Sequence, residues 1–465
     1  MLARTQHQHP LQGQGHFSAR PLQGKVLVVG LGKTGLSVVR YLMQRGHEVA
    51  VTDSRAQPPG LEACREHWPD LPLFVGGFEA SAFAAADSLV VSPGVSLEEP
   101  LIAQAIRQGK PVLGDVELFA RAVQAPVVAI TGSNGKSTVT SLLAEMAKAA
   151  GIQAVAGANL GEPVLDLLGQ KAELFILELS SFQLDCLSSL RPRLAALLNI
   201  SADHMDRYPD LAAYRDAKAR VFLGAEAGLI NRDDPLIQQT LPLGLACRSF
   251  GLDEPEGDDY GLRQIDGRPW LCRGQQALLA CAELLIPGRH NWANALAAWA
   301  LAEGLGLDDV GIAQVLRRFT GLPHRTQLVR QLRGVRWYND SKGTNPGATL
   351  AALQGLAEQG EGRVLLIAGG DCKGADFSEL APAVAAHARA VILIGRDAPL
   401  IEAALAGHTP LLHAADMKQA VAQAQAQARP GDSVLLSPAC ASLDMFDNYM
   451  HRGDVFIRAV EGLPT

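Results

Sequence analysis

The sequence predicts an α/β protein of three domains: a Rossmann-like first domain, a central P-loop-type ATPase domain and a Rossmann-like C-terminal domain. Three observations carry the prediction. An apolar run, Val127–Thr131, ends in a glycine turn that opens a helix-forming segment. A second apolar run, Lys25–Val29, leads into Gly30-Leu31-Gly32-Lys33-Thr34-Gly35. After Gly321, strand-like and helix-like segments alternate to the end of the chain. A length of 465 residues suits three domains of ~100–200 residues each. The expected limits are a leader at 1–21 and domains at 22–114, 115–321 and 322–465.

The leader is rich in Gln, His and Gly and has no apolar core of signal-peptide length. A disordered segment is expected there. In the first domain, Lys25–Val29 reads as a buried strand, followed by a helix to about Arg45 and a strand at Glu48–Asp53. Gly30–Gly35 with an acidic residue at the next strand end is a dinucleotide pattern: tight turn, helix N-terminus for diphosphate, carboxylate for a ribose hydroxyl. Taken alone it reads as a nicotinamide-dinucleotide site. Further strands are expected at Ser88–Ser92 and Pro111–Leu113, and the turn Ser92-Pro93-Gly94 sits where open α/β sheets bind ligands.

The central turn is Thr131-Gly132-Ser133-Asn134-Gly135-Lys136-Ser137-Thr138. Glycines let backbone N–H groups converge on phosphate oxygens at a helix N-terminus. Lys136 adds a full charge, and the Ser137 hydroxyl is placed for Mg²⁺. Ile130 stands where a standard P-loop has glycine. Glu178 interrupts the apolar strand Leu174–Leu179 near its carboxyl end, where a carboxylate is costly unless paired or metal-bound. The strand Leu194–Ile200 delivers Asp203 and His204 to the same edge, and His204 also fits a capping or core role. Lys218 reads by spacing as a solvated helix lysine. From Gly228 to Leu285, short alternating runs suggest an antiparallel insertion. His290, Asn291 and Asn294 crowd one helix entrance, as caps or as groups facing a nucleotide. In the third domain, Asp340, Lys342, Lys373 and Ser442 lie on loops after strands and together suit an anion and an ammonium.

A net charge of −7 without a basic patch argues against nucleic acid. Seven cysteines without a C-x-x-C pair indicate neither a disulfide framework nor a zinc knuckle. No apolar run approaches the ~18 residues of a membrane span, so a cytoplasmic protein with no membrane contact is expected.

The motif set resembles the Mur ligases, ATP-dependent amino-acid-adding enzymes of peptidoglycan synthesis, over essentially the whole chain after the leader. The phrases carrying it are Gly30–Gly35, Thr131–Thr138, Leu177-Glu178-Leu179-Ser180-Ser181-Phe182-Gln183-Leu184, Asp203-His204-Met205-Asp206-Arg207-Tyr208, Asn339-Asp340-Ser341-Lys342 and Ser437-Pro438-Ala439-Cys440-Ala441-Ser442-Leu443-Asp444. The D-glutamate-adding branch fits best. The Asp-Asn-Pro-Arg motif of diaminopimelate- or lysine-adding relatives is absent, and alanine-adding relatives usually carry His where Asn134 stands.

The resemblance reassigns the first domain from a dinucleotide to the UDP end of UDP-N-acetylmuramoyl-L-alanine. It implies that Lys33 and Thr34 lie near the diphosphate and Asp53, Ser54 and Arg55 near the uridine. Ser92, Asn159, Ser180 and His204 would contact the rest of this substrate. Gly132, Ser133, Asn134, Gly135, Lys136, Ser137, Thr138, Asn294, Arg325 and Asp340 would hold ATP. Ser137, Glu178, His204 and a carbamylated Lys218 would serve two Mg²⁺ ions, with Lys136, His204 and Lys218 as the catalytic set. Lys342, Thr344, Lys373, Ser442, Leu443 and Tyr449 would receive D-glutamate. A monomer is expected.

Overall fold

The computed structural model describes residues 21–358, 362–372 and 374–464. The expected leader lies outside these residues except for Pro21, and Lys373 lies outside them too.

The first sheet contains β1 (Lys25–Val29), β2 (Glu48–Asp53), β3 (Leu73–Val75), β4 (Ser88–Val91) and β5 (Val112–Leu113). It is parallel throughout, in the order β3-β2-β1-β4-β5. Its central strands β1 and β4 read as near-continuous Val/Leu runs, as strands buried on both faces do. The order reverses between β1 and β4, so Gly30 and Ser92 face each other across the crevice where such sheets take ligands. Gly35 is glycine for contact: a Cβ there would stand 1.9 Å from the Gly30 carbonyl oxygen. The first helix, Lys33–Gln44, can thus close onto the turn.

The second sheet has nine strands: β6 (Val127–Thr131), β7 (Ala154–Ala158), β8 (Leu174–Glu178), β9 (Leu194–Leu197), β10 (Ala227–Asn231), β11 (Cys247–Phe250), β12 (Tyr260–Ile265), β13 (Arg268–Arg273) and β14 (Gln276–Ala280). Their order is β14-β13-β12-β11-β10-β9-β6-β8-β7. The expected antiparallel insertion is corrected here. β10 and β11 continue the parallel sheet, and only β12–β14 run antiparallel, as an extension of it. Short strands beyond a helix-poor stretch look alike in sequence, whichever direction their partners run. β6 lies between β9 and β8, so the glycine turn, Glu178 and Asn199 emerge side by side.

The third sheet runs β15-β16-β20-β17-β18-β19, with β15 (Gln327–Leu332), β16 (Val335–Asn339), β17 (Val364–Gly369), β18 (Ala388–Ile394), β19 (Leu411–His413) and β20 (Ser433–Leu436). β15 pairs antiparallel with β16 and the remaining pairs are parallel. The first and second sheets share one apolar core. Phe119, on the helix Asp115–Ala122, packs edge-on against Phe175 of β8 with ring centroids 5.2 Å apart. Ser37 and Arg40 of the first helix both donate to Asp166 of the second unit, at 2.9 and 2.8 Å.

Candidate active site

The central turn is held from behind by β9. Ser133 N–H donates to the Asn199 carbonyl at 2.9 Å, and Asn134 N–H donates to Asn199 Oδ1 at 2.7 Å. Asn199 was not singled out by the sequence reading; its only signal is an amide closing an apolar strand. Gly135 has φ +82, and a Cβ there would meet Asn294 Oδ1 at 2.4 Å. Asn294 therefore abuts the turn, while the helix it sits on has Gly288 as N-cap and no side-chain cap. His290, Asn291 and Asn294 face a cavity rather than capping their helix.

Lys136 Nζ folds back onto its own turn, donating to the carbonyls of Gly132 at 2.8 Å and Ser133 at 2.9 Å. Burial pulls its pKa below the ordinary lysine value, although Glu178 and Asp203 pull the other way. Ser137 donates to Glu178 Oε2 at 2.5 Å, and Asn159 donates to Glu178 Oε1 at 2.6 Å. Glu178 is 2% exposed. Burial alone would raise its pKa, but Lys136, Arg325 and these two hydrogen bonds outweigh it and keep the carboxylate ionised.

Lys218 corrects the sequence reading. It is not solvated: it is 1% exposed, on the helix Leu211–Ala219. Its Nζ donates to the Gly132 carbonyl at 2.9 Å and lies 4.6 Å from the centre of the Tyr214 ring. Burial, and next the charge of Lys136, hold its pKa well below the ordinary lysine value. Tyr214, one turn back on the same helix, covers one side of it, and helical spacing misses the rest because the Gly132 turn comes from another element. His204 has φ +58 and its ring meets Phe182 edge-on, centroids 4.8 Å apart. Its Nε2 lies 3.7 Å from Asp203 Oδ2.

The third unit reaches over the same edge. Arg325 donates to Ser137 Oγ at 2.6 Å. Asp340 accepts from Thr326 N–H at 3.0 Å and from Ser437 Oγ at 2.7 Å, and burial pushes its pKa up to about 6. Lys342 Nζ stands 4.1 Å from the centre of the Tyr449 ring; burial and then Arg325 push its pKa down to about 8. Asn345, also absent from the sequence reading, donates to Asn134 Oδ1 and to Asp203 Oδ2, both at 3.2 Å.

At the first turn Asp53 is already engaged within the protein. Asp53 Oδ2 accepts from Leu31 N–H at 2.7 Å, and both carboxylate oxygens take the Arg55 guanidinium, at 2.9 and 2.7 Å. Burial would raise the Asp53 pKa, but the Arg55 and Leu31 bonds hold it below the usual carboxylate range. Asp53 thus braces the turn and fixes the Arg55 guanidinium.

Three cavities form one trench. The first, about 550 Å³, is lined by Gly30, Lys33, Thr34, Asp53, Ser54, Arg55, Ser92 and Asn159. The second, about 450 Å³, is lined by Ser133, Lys136, Asn159, Glu178, Ser180, His204, Lys218, Arg325, Lys342, Thr344, Ser442, Leu443 and Tyr449. The third, about 330 Å³, is lined by Asn134, Gly135, Thr138, Asn294, Arg325, Asp340 and Lys342. Pro93, Gly94 and Asn159 are shared by the first two, and Asn134, Gly135, Arg325 and Lys342 by the last two. Every described residue expected at the site lines one of them except Gly132 and Ser137, which sit directly behind Lys136 and Glu178.

The donor set suits Mg²⁺ on chemical grounds. Ser137 and Glu178 offer adjacent hard oxygens beside the phosphate turn, as an ion that keeps its waters and binds phosphate prefers. Among the described residues no group of three or more His, Cys, Asp or Glu is gathered to hold a metal.

Three family models match consecutive stretches of the chain: "Mur ligase MurD-like, N-terminal domain" over 24–114, "Mur ligase middle domain" over 130–302 and "Mur ligase, glutamate ligase domain" over 324–440. Similar relatives include the UDP-N-acetylmuramoylalanine–D-glutamate ligase of Nitrosococcus oceani, 52% identical, covering 95% of this chain and 98% of the relative. That of Methylococcus capsulatus is 52% identical, covering 95% of each. Among solved structures, the UDP-N-acetylmuramate-alanine ligase of Thermotoga maritima aligns with TM-score 0.60 at 18% identity, over 94% of this chain and 99% of that one. The MurF ligase of the same organism, in complex with ADP, gives TM-score 0.60 at 17% identity, over 95% and 96%. These two show a shared fold.

Proposed function

The chain belongs to the Mur ligase family and is a D-glutamate-adding ligase of peptidoglycan precursor synthesis, and from that premise we propose how its trench makes the amide bond. UDP-N-acetylmuramoyl-L-alanine lies along the first cavity with its uridine at Arg55 and its diphosphate over the Gly30–Gly35 turn. Its free carboxylate reaches the second cavity. ATP lies along the third cavity, with its γ-phosphate at Lys136.

A carboxylate is a poor electrophile. One of its oxygens attacks the γ-phosphorus, ADP leaves, and an acyl phosphate forms. The amine of D-glutamate then attacks the carbonyl carbon and phosphate leaves. Lys136 leaves its turn carbonyls to bind phosphate, and Arg325 leaves Ser137 to do the same. Lys342, Thr344, Ser442, Leu443 and Tyr449, with Lys373, hold D-glutamate. Asn345 closes the third unit onto Asn134 and excludes water that would hydrolyse the acyl phosphate. Ser137 and Glu178 would hold one Mg²⁺, and His204 with a carbamate on Lys218 a second; such ions would supply positive charge against the phosphoryl oxygens. Burial, and next the charge of Lys136, shift Lys218 toward the neutral amine, the form that reacts with CO₂. The enzyme works in the cytoplasm as a monomer; among the described residues no helix is long and apolar enough to cross a membrane.

The observation that carries this reading is the continuity of the three cavities, with the reactive groups in the middle one. The test is phosphate release from ATP. It is expected only when UDP-N-acetylmuramoyl-L-alanine and D-glutamate are both present, and not with L-glutamate. Equal turnover of both enantiomers, or release without an amino acid, would refute it.

A further inference from the structure

Two loops leave the third sheet side by side, one after β17 and one after β20. An isolated antiparallel bridge joins them: Asp371 N–H donates to the Ala441 carbonyl at 3.0 Å, and Ala441 N–H to the Asp371 carbonyl at 2.8 Å. A pair that exchanges both bonds is followed in register by a non-hydrogen-bonded pair, with Cα atoms about 4.5 Å apart. Here the next pair is Cys372 and Cys440. That spacing falls inside the disulfide window of roughly 4.4–6.8 Å. The side chains agree with the backbone: the two Sγ atoms are 2.9 Å apart. Gly370 permits the approach, since a Cβ there would lie 2.1 Å from the Ala441 carbonyl oxygen. Neither thiol takes part in the chemistry proposed above.

We infer that Cys372 and Cys440 are a modification site: a hydroperoxide oxidises them to a reversible disulfide that ties the β17 and β20 loops together. One thiolate attacks a peroxide oxygen; the O–O bond breaks, an S–O bond forms and an alcohol or water leaves. The second sulfur attacks the sulfenic sulfur, the S–S bond forms and water leaves. Two thiols lose two electrons and two protons, and the peroxide is reduced. Both residues are buried, at 3% and 1% exposure, and the contact with Cys372 and burial push the Cys440 thiol above its usual range. Oxidation therefore waits on opening of the loops and is slow compared with an exposed thiol. The consequence rests on the D-glutamate reading: Lys373 follows one cysteine directly and Ser442 lies two residues beyond the other. A locked pair changes how these loops receive the amino acid.

The experiment treats reduced full-length enzyme with hydrogen peroxide, then maps peptides without reductant. A Cys372–Cys440 cross-linked peptide is expected, reversed by dithiothreitol. The KM for D-glutamate is expected to shift about threefold or more while the KM for ATP stays constant. Cys372→Ser is expected to keep reduced-state turnover and to lose both the cross-link and the kinetic response. Peroxide-treated folded enzyme whose Cys372 and Cys440 both remain alkylatable, or carry sulfinic acids without a cross-link, would overturn the disulfide. A cross-linked enzyme with unchanged D-glutamate KM would overturn the coupling. Turnover of the reduced enzyme with D-glutamate, measured first, tests the amino-acid reading separately.

Discussion

The turns Gly30–Gly35 and Gly132–Lys136 share a strand–turn–helix plan and differ in how their charges are matched. At the first, Asp53 is 3% exposed in its side chain and is fully engaged, by Leu31 N–H and by a two-pronged Arg55 bond. Arg55 itself is 53% exposed and stays charged. At the second, Lys136, Lys218 and Lys342 are all pushed below the ordinary lysine value, by burial before anything else. Two of them spend their ammonium on the same carbonyl, that of Gly132. The first turn is finished before its ligand arrives. The second holds desolvated amines whose charged forms gain from added negative charge. A binding end gains from being pre-formed; a reacting end gains when ligand charge completes it.

The sharpest way to break this comparison is Lys136→Ala. It removes the cation nearest the expected γ-phosphate from a partly exposed turn. Turnover is expected to fall on the order of 10³-fold, with the melting temperature and the affinity for the UDP substrate retained. Near-normal turnover of a folded variant would take the turn out of the mechanism. Next comes Lys218→Ala, expected to lose about 10²–10³-fold and to recover partly with added acetate, which supplies the missing carboxylate. A solvated lysine would give wild-type turnover and no acetate effect, and that result would remove the carbamate.

Both turns were legible in sequence because each is local. Strand, glycines and helix entrance lie within a dozen residues, and β1 and β2 match the expected strands at both ends. Glu178 was legible for the same reason: a charge in an apolar strand has no ordinary explanation. What the sequence hid is tertiary. Lys218 donates to Gly132 across 86 residues, and Asn345 meets Asn134 across 211 residues. The internal engagement of Asp53 was hidden because it comes partly from Arg55, two residues on, whose rotamer no spacing specifies. The nine-stranded sheet was missed because β10 and β11 carry no mark of their partners' direction.

A milder variant tests the first turn. Arg55→Ala removes an exposed cation that Asp53 aims at the cavity. The KM for the UDP substrate is expected to rise about tenfold, or ~1.4 kcal/mol, with kcat unchanged, since the contact is equal in ground and transition states. A fall in kcat with an unchanged KM would mean that this turn, too, acts on the reacting end.

The smallest effect distinguishes the two ends by their protons. Lys342 has a pKa of about 8, so it is partly neutral in mildly alkaline solution. Phosphate oxygens favour the charged form and therefore raise this pKa when ATP binds. The sign follows from linkage: the bound state holds more protons than the free state, so ATP binding takes up protons and its affinity falls as pH rises through about 8. Lys136 shifts in the same direction and adds to the effect. Calorimetry in two buffers of different ionisation enthalpy reads the uptake directly. It is expected to grow from a small fraction of a proton at pH about 7.5 to most of one at about 9. Lys342→Arg, which stays charged throughout, should remove the Lys342 share. UDP binding at the first turn should show no such uptake through Arg55, whose pKa Asp53 has already pushed up. Equal proton uptake by UDP and ATP, or none by ATP across that range, would mean that the two turns do not differ in charge matching as their geometry indicates.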